Sequence, residues 1–285
     1  LVNKKGIEFM QGEIEEIDLK SYSIRVNGQK LNYDELVISL GAELNKTTIP
    51  KTDRIFDFYC LKGAKLVSEA ISNFTNGRIA ILISSSPFKC PDAPYETALI
   101  LDYYFTKNNL RNKIDIQIFT PEILPMLTAG QMLGNTVKQM VEQRNIKFNP
   151  NLKLVSIDGE KQEIKFEPNR IEKFDLLLVV PSHQAPKVVK EAGLTGESGW
   201  VSVDSKTLQT KYENVFAIGD VTSIKLPNGK MLPKAGVFAH SQAEVVAKNI
   251  ANEINGNDKK TEFTGNGSCF LEMGYGKAGF ASGDF

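Results

Sequence analysis

The stretch RIAILISSSPFKCPDAPYETALIL, residues 78–101, reads as a strand and a helix joined by a loop that contains no glycine. Residues 78–84 form an apolar run of the length of a buried strand, and a helix is predicted at 94–108. In α/β units that bind a dinucleotide, closely spaced glycines follow such a strand, because they let the backbone approach the phosphates. Here the loop holds serines, prolines and Cys90 instead. We therefore expect an α/β unit whose strand–helix junction has another purpose.

The sequence on both sides of this junction continues the alternation of strands and helices. Further predicted elements are helices at 61–73 and 131–145, strands at 114–120 and 174–182, and a strand pair within 152–168. Nearer the start, Asn27-Gly28 between two alternating runs predicts a hairpin. A short apolar strand then ends at Gly41. This order predicts the α/β class, with a mostly parallel sheet that is covered on both faces.

The composition is that of a globular protein rather than a disordered or fibrous one. Of the 285 residues, 41% are hydrophobic and 24% are charged, and Lys plus Arg equals Asp plus Glu at 34 each. This neutral balance gives no reason to expect nucleic acid as a partner. No apolar run is long enough to span a bilayer. With 3 cysteines, none in a CxxC pair, and 2 histidines, we expect neither a structural metal nor a secreted disulfide framework.

Two later segments have the pattern of a flavin site. VFAIGDV, residues 215–221, is a strand that ends in Gly219-Asp220. The glycine would allow close approach of a ligand, and the carboxylate could accept a hydrogen bond from a ribityl hydroxyl. Lys234-Ala235-Gly236 then begins a long helix, whose positive end could stabilise charge on a reduced flavin. The alternative is an ordinary strand, turn and helix of an α/β sheet.

These segments, with YDELVISLGA at 33–42, resemble the later signatures of the two-dinucleotide-binding flavoproteins. KCPDAPYETALILDYYF and GSCFLEMGYGKAGFASGDF resemble sulfide:quinone oxidoreductases and the flavoprotein subunit of flavocytochrome c sulfide dehydrogenase. The resemblance covers nearly the whole chain. It implies two Rossmann-like domains, the first incomplete, and FAD as the cofactor. It also implies that electrons pass from sulfide, or another sulfur substrate, to a quinone or a cytochrome.

The same resemblance assigns roles to the cysteines. It pairs Cys90 with Cys269 in a disulfide or sulfur-bridged centre, where sulfide attacks one sulfur and the other leaves as a thiolate. The start of the following helix is expected to stabilise the Cys90 thiolate. Cys60 falls near a third cysteine of the quinone-reducing members. For each cysteine the alternative is a small buried apolar side chain.

Other polar residues near these segments are weaker candidates. Glu96 could relay protons if burial raised its pKa, or it could be a residue that the helix dipole favours. His183 could line a crevice after its strand, and His240 lies on the flavin-side helix, but lone histidines are commonly structural. The predicted sites are catalytic Cys90, Cys269, Glu96 and Cys60, and cofactor-binding Gly41, Gly219, Asp220, Lys234, Ala235 and Gly236, without a metal.

Domain boundaries follow from the same reading. Residues 1–50 and 200–262 are expected to form part of an FAD-binding domain, 51–199 a second Rossmann-like domain without the glycine loop, and 263–285 the start of a C-terminal segment. The first glycine signature of the family is missing from this sequence. We therefore expect a fragment that lacks at least one βαβ unit of about 30 residues and binds FAD weakly or not at all.

Two alternative functions stay open on the sequence alone. The chain could resemble a type II NADH:quinone oxidoreductase with an atypical nicotinamide site, or it could be a non-catalytic fragment that keeps the fold without FAD. The acceptor and the oligomeric state, including a homo-oligomer, are not determined. A cytoplasmic or peripheral membrane location is expected, with membrane contact through a C-terminal segment, and a periplasmic one is not excluded.

Overall fold

The computed structural model describes residues 6–227 and 229–285, which divide into two compact units. Unit 1 comprises the chain up to Gly41, Ala185–Ile224 and Gln242–Phe263, and unit 2 comprises Ala42–Gln184, Lys225–Ser241 and Thr264–Phe285. The units do not coincide with the expected domain ranges, since 42–50, 225–241 and 264–285 belong to unit 2 and 185–199 belongs to unit 1. Residues 1–5 of the expected FAD-binding range lie outside the described residues.

Unit 2 is built from strands and helices that alternate along the chain. Its elements are β5 (Glu43–Asn45), β6 (Ile55–Asp57), α1 (Leu61–Asn73), β7 (Gly77–Ile83), α2 (Ala93–Lys107), β8 (Ile114–Phe119), α3 (Gln131–Glu142), β9 (Ile146–Asn149), β10 (Leu154–Asp158), β11 (Glu163–Phe166), β12 (Arg170–Lys173), β13 (Leu176–Val180), β14 (Ser182–Gln184), β18 (Asn266–Glu272) and β19 (Ala278–Asp284). The predicted helices and central strands of this region are confirmed, with ends that shift by a few residues.

A five-stranded sheet with the order β6-β13-β7-β8-β9 forms the centre of unit 2, and every pairing in it is parallel. The side chains of β7 alternate between two apolar clusters. Ile79, Ile81 and Ile83 pack with residues of α1, α2 and α3, whereas Ala80 and Leu82 pack with the β10–β12 meander. Each fully buried isoleucine stabilises the fold by about 1.5–3 kcal/mol. The expectation of a parallel sheet covered on both faces is confirmed, with helices on one face and an antiparallel meander on the other.

Unit 1 is smaller and has its own apolar cluster. Its elements are β1 (Ile14–Asp18), β2 (Ser23–Val26), β3 (Gln29–Asn32), β4 (Leu36–Ile38), α4 (Lys187–Glu191), β15 (Val201–Ser202), β16 (Val215–Ala217) and β17 (Thr222–Ser223). The helix α5 (Gly236–Ile254) begins in unit 2 and continues into unit 1. The predicted hairpin at Asn27-Gly28 joins β2 to β3. The strands of the two flavin-like segments at 33–42 and 215–221, β4 and β16, are parallel neighbours.

The two units share a structural pattern that the sequence does not reveal as a repeat. In each, an antiparallel three-stranded meander precedes a strand that joins a parallel pairing: β1–β3 precede β4, and β10–β12 precede β13. Both meanders contain one register shift between their first two strands, at Ile14/Glu16 and at Leu154/Ser156. The α/β class is therefore confirmed in both units. Among the described residues, no helix is both long enough and apolar enough to cross a membrane.

Candidate functional site

Cys90 lies at the carboxyl end of the central sheet of unit 2, in the loop between β7 and α2. Ligands of open α/β sheets bind at this edge, where neighbouring strands lead their connections in opposite directions. The backbone of Cys90 has a left-handed conformation with φ 51°, and two contacts hold it. Its N–H donates to the Lys234 carbonyl at 2.8 Å, and its carbonyl accepts from the Tyr59 hydroxyl at 3.2 Å. The loop is therefore fixed against the segment that begins α5.

Cys269 lies on β18, in a hairpin with β19 that docks on α2. Three polar contacts hold this hairpin. The Glu96 Oε1 accepts from the Glu272 N–H at 2.7 Å, Arg144 Nη1 donates to the Met273 carbonyl at 2.6 Å, and the Tyr275 hydroxyl donates to Asp102 Oδ2 at 3.3 Å. These contacts position Cys269 over the start of α2, although it is remote from Cys90 in sequence.

The carboxyl group of Asp92 joins the two cysteines that the sequence paired. The Cys90 Sγ donates to Asp92 Oδ1 at 3.1 Å, and the Cys269 Sγ donates to Asp92 Oδ2 at 3.0 Å. Asp92 is 4% exposed. All three cysteines of the chain are free thiols, so the disulfide implied by the resemblance is not formed in this structure. The predicted pair is brought together as two thiols on one buried carboxylate.

The electrostatics of this cluster correct one expectation. Burial and the charge of Asp92 raise the pKa of the Cys90 thiol, with Glu96 adding to the effect, although the residue as a whole is exposed. Burial, followed by the hydrogen bond to Asp92, raises the pKa of Cys269 to about 12. The expectation that the start of α2 stabilises a Cys90 thiolate is wrong for this structure, because the sulfur faces a carboxylate rather than helix N–H groups.

Glu96 has the raised pKa that the sequence argument required. Burial is the main cause, Asp92 and Glu272 contribute in the same direction, and the hydrogen bond from the Glu272 N–H opposes it. One of its two oxygens is occupied by that N–H. Glu96 therefore holds the hairpin that carries Cys269, whatever part it takes in proton transfer.

Cys60 has the helix-start environment that was expected for Cys90. It is the N-cap residue of α1, and its Sγ accepts from the Gly63 N–H at 3.3 Å. Lys46 Nζ lies 3.5 Å from the same sulfur and pairs with Asp57 at 2.7 Å. These contacts give Cys60 a capping role. A role in sulfur chemistry stays a prediction.

Unit 1 contains three of the predicted flavin residues. Gly41 and Gly219 follow the neighbouring strands β4 and β16, with φ values of 68° and 71° that favour glycine. A side chain at Gly41 would meet open space. The Gly219 N–H donates to Oε1 of buried Gln242 at 2.7 Å, and Asp220 follows in a short 3₁₀ turn. The two glycines thus lie at one edge of a parallel strand pair, where a ligand could approach the backbone.

Unit 2 contains the other three, at the start of α5. Lys234 is buried, and its carbonyl is the acceptor for Cys90. The Ala235 carbonyl accepts the first helical hydrogen bonds, from Phe238 and Ala239. At Gly236, which begins the helix, a Cβ would have nothing within 4 Å. An open helix start next to the cysteine loop fits a group that develops negative charge.

A pocket of about 50 Å³ lies beside the cysteine cluster in unit 2. Its wall includes Asp92 and Cys269 together with the apolar side chains of Ala235, Phe238 and Phe285. A cavity of about 10–15 Å³ holds one water molecule, so this pocket has room for a small sulfur species. Cys269 lines this pocket. The backbone N–H of Cys90 instead donates a hydrogen bond to the Lys234 carbonyl, just before α5.

Sequence reasoning missed three polar residues of unit 2, Asp92, Tyr95 and Glu122. Asp92 lies inside the quoted loop, and a carboxylate two residues from a cysteine is the signal that could have identified it. Tyr95 is fully buried, and its hydroxyl donates to Glu122 Oε2 at 3.2 Å. Burial raises the pKa of Glu122 to about 7.

The two histidines differ in how much the structure says of them. His183 packs edge-on against Tyr59, with ring centroids 5.3 Å apart, and burial lowers its pKa to about 4. Its Nδ1 lies 2.8 Å from the Pro181 carbonyl. His183 is therefore a neutral ring behind the Cys90 loop at pH 7. His240 is exposed on α5.

The match to a family model decides the relationship. The model described as pyridine nucleotide-disulphide oxidoreductase matches residues 97–243, more than half of the chain. The chain belongs to this family. Its curated relatives include the mitochondrial sulfide:quinone oxidoreductase of Mus musculus, 27% identical over 98% of this chain and 64% of that protein. The corresponding protein of Schizosaccharomyces pombe is 30% identical over 88% of this chain and 56% of that protein.

Solved structures agree with this relationship. The sulfide:quinone oxidoreductase of Aquifex aeolicus matches with a TM-score of 0.84 and 25% identity, covering 99% of this chain and 72% of that chain. The chain thus resembles sulfide:quinone oxidoreductases in sequence and in fold, as the quoted motifs implied. It spans 56–64% of the length of the mouse and fission yeast relatives.

Proposed function

We propose that this chain is part of an FAD-dependent flavoprotein that oxidises sulfide, or a related sulfur species, through Cys90 and Cys269. The observation that carries the proposal is the approach of both thiols to the Asp92 carboxyl group, at 3.1 and 3.0 Å. The hydrogen bond from Cys90 to the Lys234 carbonyl adds to it, because it connects the pair to the start of α5. The names of the relatives support the same activity.

FAD would supply the two-electron acceptor for the cysteine pair. We infer that Gly41 and Gly219 allow its approach and that Asp220 accepts from a ribityl hydroxyl, while the N–H groups at Ala235 and Gly236 face its negative charge. The open space at Gly41 and Gly236 and the positive φ of both strand-end glycines support this assignment. Lys234 orients the Cys90 loop through its backbone.

The sulfur chemistry begins with the oxidised pair. Hydrosulfide attacks one sulfur of the Cys90–Cys269 disulfide, the S–S bond breaks, and the products are a persulfide on one cysteine and a thiolate on the other. Sulfide sulfur is oxidised and the disulfide is reduced. Because Cys269 faces the pocket, we assign the attack to its sulfur and the release of the thiolate to Cys90, whose backbone N–H is hydrogen-bonded to the Lys234 carbonyl.

The acceptor is assigned more coarsely. We propose a quinone, because the relatives are named as quinone oxidoreductases, with a cytochrome as the alternative. Peripheral contact with a membrane would bring the protein to a quinone. The redox pair, the acceptor, membrane contact and any homo-oligomer are parts of this proposal.

Replacement of each cysteine tests the function in the full-length, flavin-loaded protein. In Cys90→Ser and Cys269→Ser, sulfide should no longer bleach the flavin absorbance under anaerobic conditions. Ser72→Ala, on the exposed face of α1, is the control and should react normally. Normal bleaching in both cysteine variants would overturn the proposal. Cys60→Ser in the same assay tests whether that thiol takes part.

NADH in the same assay tests the second candidate. Type II NADH:quinone oxidoreductases of Staphylococcus aureus are 24% identical over 90% of this chain. The loop between β7 and α2 argues against a nicotinamide site, because it has prolines at 87 and 91 and the carboxylate of Asp92 where glycines would approach phosphate. Bleaching by NADH and not by sulfide would favour that alternative.

A further inference from the structure

Asp92 occupies a helix-capping position without capping the helix. It is the N-cap residue of α2, where aspartate commonly accepts a hydrogen bond from the first-turn N–H groups. Here the side chain makes no such bond, and its two oxygens face the two thiols instead. The carboxylate is thus directed to the sulfurs at the expense of a stabilising contact.

The environment of this carboxylate is unusual for a structural role. It is 4% exposed, and within residues 6–227 and 229–285 no lysine or arginine forms an ion pair with it. Thiols are weak hydrogen-bond donors, so they compensate poorly for the lost hydration of a carboxylate. A buried carboxylate without a cation carries a desolvation cost, so this arrangement has a reason other than stability.

We propose that Asp92 is the proton-transfer group shared by Cys90 and Cys269. This inference rests on the proposed function. Dihydrogen sulfide gives one proton to the Asp92 carboxylate and attacks the disulfide as hydrosulfide. The protonated carboxyl group then gives this proton to the thiolate that the S–S cleavage releases. The sum is dihydrogen sulfide plus disulfide giving one persulfide and one thiol, with Asp92 returned to its starting form.

The groups around the sulfurs agree with this role. Asp92 and Glu96 of α2 face both thiols, which also face each other, and Tyr59 contacts the Cys90 backbone. All of these groups are acidic or neutral. Burial, followed by the interactions with Asp92 and Glu96, raises the pKa of both thiols, and the hydrogen bond to the Phe270 carbonyl partly opposes this for Cys269. A thiolate formed here therefore takes up a proton readily, and a thiol needs a base to lose one. Asp92 is the carboxylate in hydrogen-bond contact with both.

The first test measures the reactivity of the thiols in the full-length, flavin-loaded protein and does not depend on the flavin absorbance. Asp92→Asn keeps the shape of the side chain and removes its charge, so both thiols should ionise at lower pH. We expect iodoacetamide to label Cys90 and Cys269 at least tenfold faster at a fixed pH near 8, since one pKa unit changes the thiolate fraction tenfold. Asp158→Asn, at the end of β10, is the matched control and should label at the parental rate. An unchanged pH profile in Asp92→Asn would overturn the inference.

The second test measures the reaction in the full-length, flavin-loaded protein. Asp92→Asn should slow sulfide-dependent flavin bleaching by about 10²-fold or more, the usual effect of losing a general acid–base group. Faster labelling combined with slower turnover is a result that a merely structural role would not give. Asp92→Glu, which restores a carboxylate, should recover bleaching to within about tenfold of the parent, and it decides the matter if Asp92→Asn does not fold.

Three outcomes keep this inference separate from the proposed function. Parental bleaching rates in Asp92→Asn would overturn the role of Asp92 and leave the cysteine mechanism intact. Equal loss of activity in Asp92→Glu and Asp92→Asn, with both folded, would also overturn it. No bleaching by sulfide in the parent protein would overturn the proposed function, whereas the labelling result would still report on Asp92.

Discussion

Replacing Glu122 with glutamine should make the protein more resistant to unfolding at alkaline pH. Glu122 follows β8, and its Oε2 accepts from the buried Tyr95 hydroxyl at 3.2 Å. Burial raises its pKa from 4.5 to about 7, and the Tyr95 hydrogen bond only partly opposes this shift. The folded protein therefore holds a proton that the unfolded chain releases at lower pH.

The sign of the effect follows from that difference. Below pH 4.5 both states are protonated, and Glu122 has no ionisation penalty. Between pH 4.5 and 7 the unfolded chain loses its proton first, so the free energy of unfolding falls, and above pH 7 the loss is constant. One pKa unit corresponds to about 1.36 kcal/mol, so the loss between pH 5 and 8 is about 2 kcal/mol after allowance for partial exposure.

Urea unfolding of the parent and Glu122→Gln at pH 5 and pH 8 measures this effect. The stability gained by Glu122→Gln should be about 2 kcal/mol larger at pH 8 than at pH 5. Comparing the two proteins at each pH cancels the other titrating groups. Glu160→Gln, at an exposed turn, is the control and should give the same difference at both values. A pH-independent gain in Glu122→Gln would refute the reasoning.

Two further predictions concern the elements around the cysteines. Glu96→Gln should weaken the charge-assisted hydrogen bond to the Glu272 N–H by about 1 kcal/mol, which corresponds to about fivefold faster hydrogen exchange of that amide by NMR. Exposed Glu69→Gln should leave the exchange unchanged, and an equal rate in Glu96→Gln would contradict the docking role. Gly63→Ala should lower the free energy of unfolding by about 1–3 kcal/mol, because a Cβ would clash with the Asp57 carbonyl oxygen. Ser68→Ala on the same helix, at an exposed position, should not destabilise, and a stabilising Gly63→Ala would show that this contact relaxes freely.

The local elements were predictable because the signals that form them are local. The isoleucine-rich run of β7, the prolines before α2 and the Asn-Gly turn between β2 and β3 each act over a few residues, and the structure has these elements close to the expected positions. The absence of glycine from the loop between β7 and α2 was also evident in the sequence. It distinguishes this loop from the glycine-rich phosphate loops of dinucleotide-binding α/β units.

The sequence by itself therefore determined the α/β class, the main elements and the resemblance to sulfide:quinone oxidoreductases. Only the tertiary structure decided that a meander covers the second face of the parallel sheet. The strands β10–β12 are too short for their sequences to indicate which sheet they pack against. It also decided that the sulfur of Cys60 caps a helix, whereas that of Cys90 faces a carboxylate. Side-chain direction and long-range docking fix such contacts. Asp92 meets Cys269 only because Glu96, Arg144 and Tyr275 hold the β18–β19 hairpin on α2.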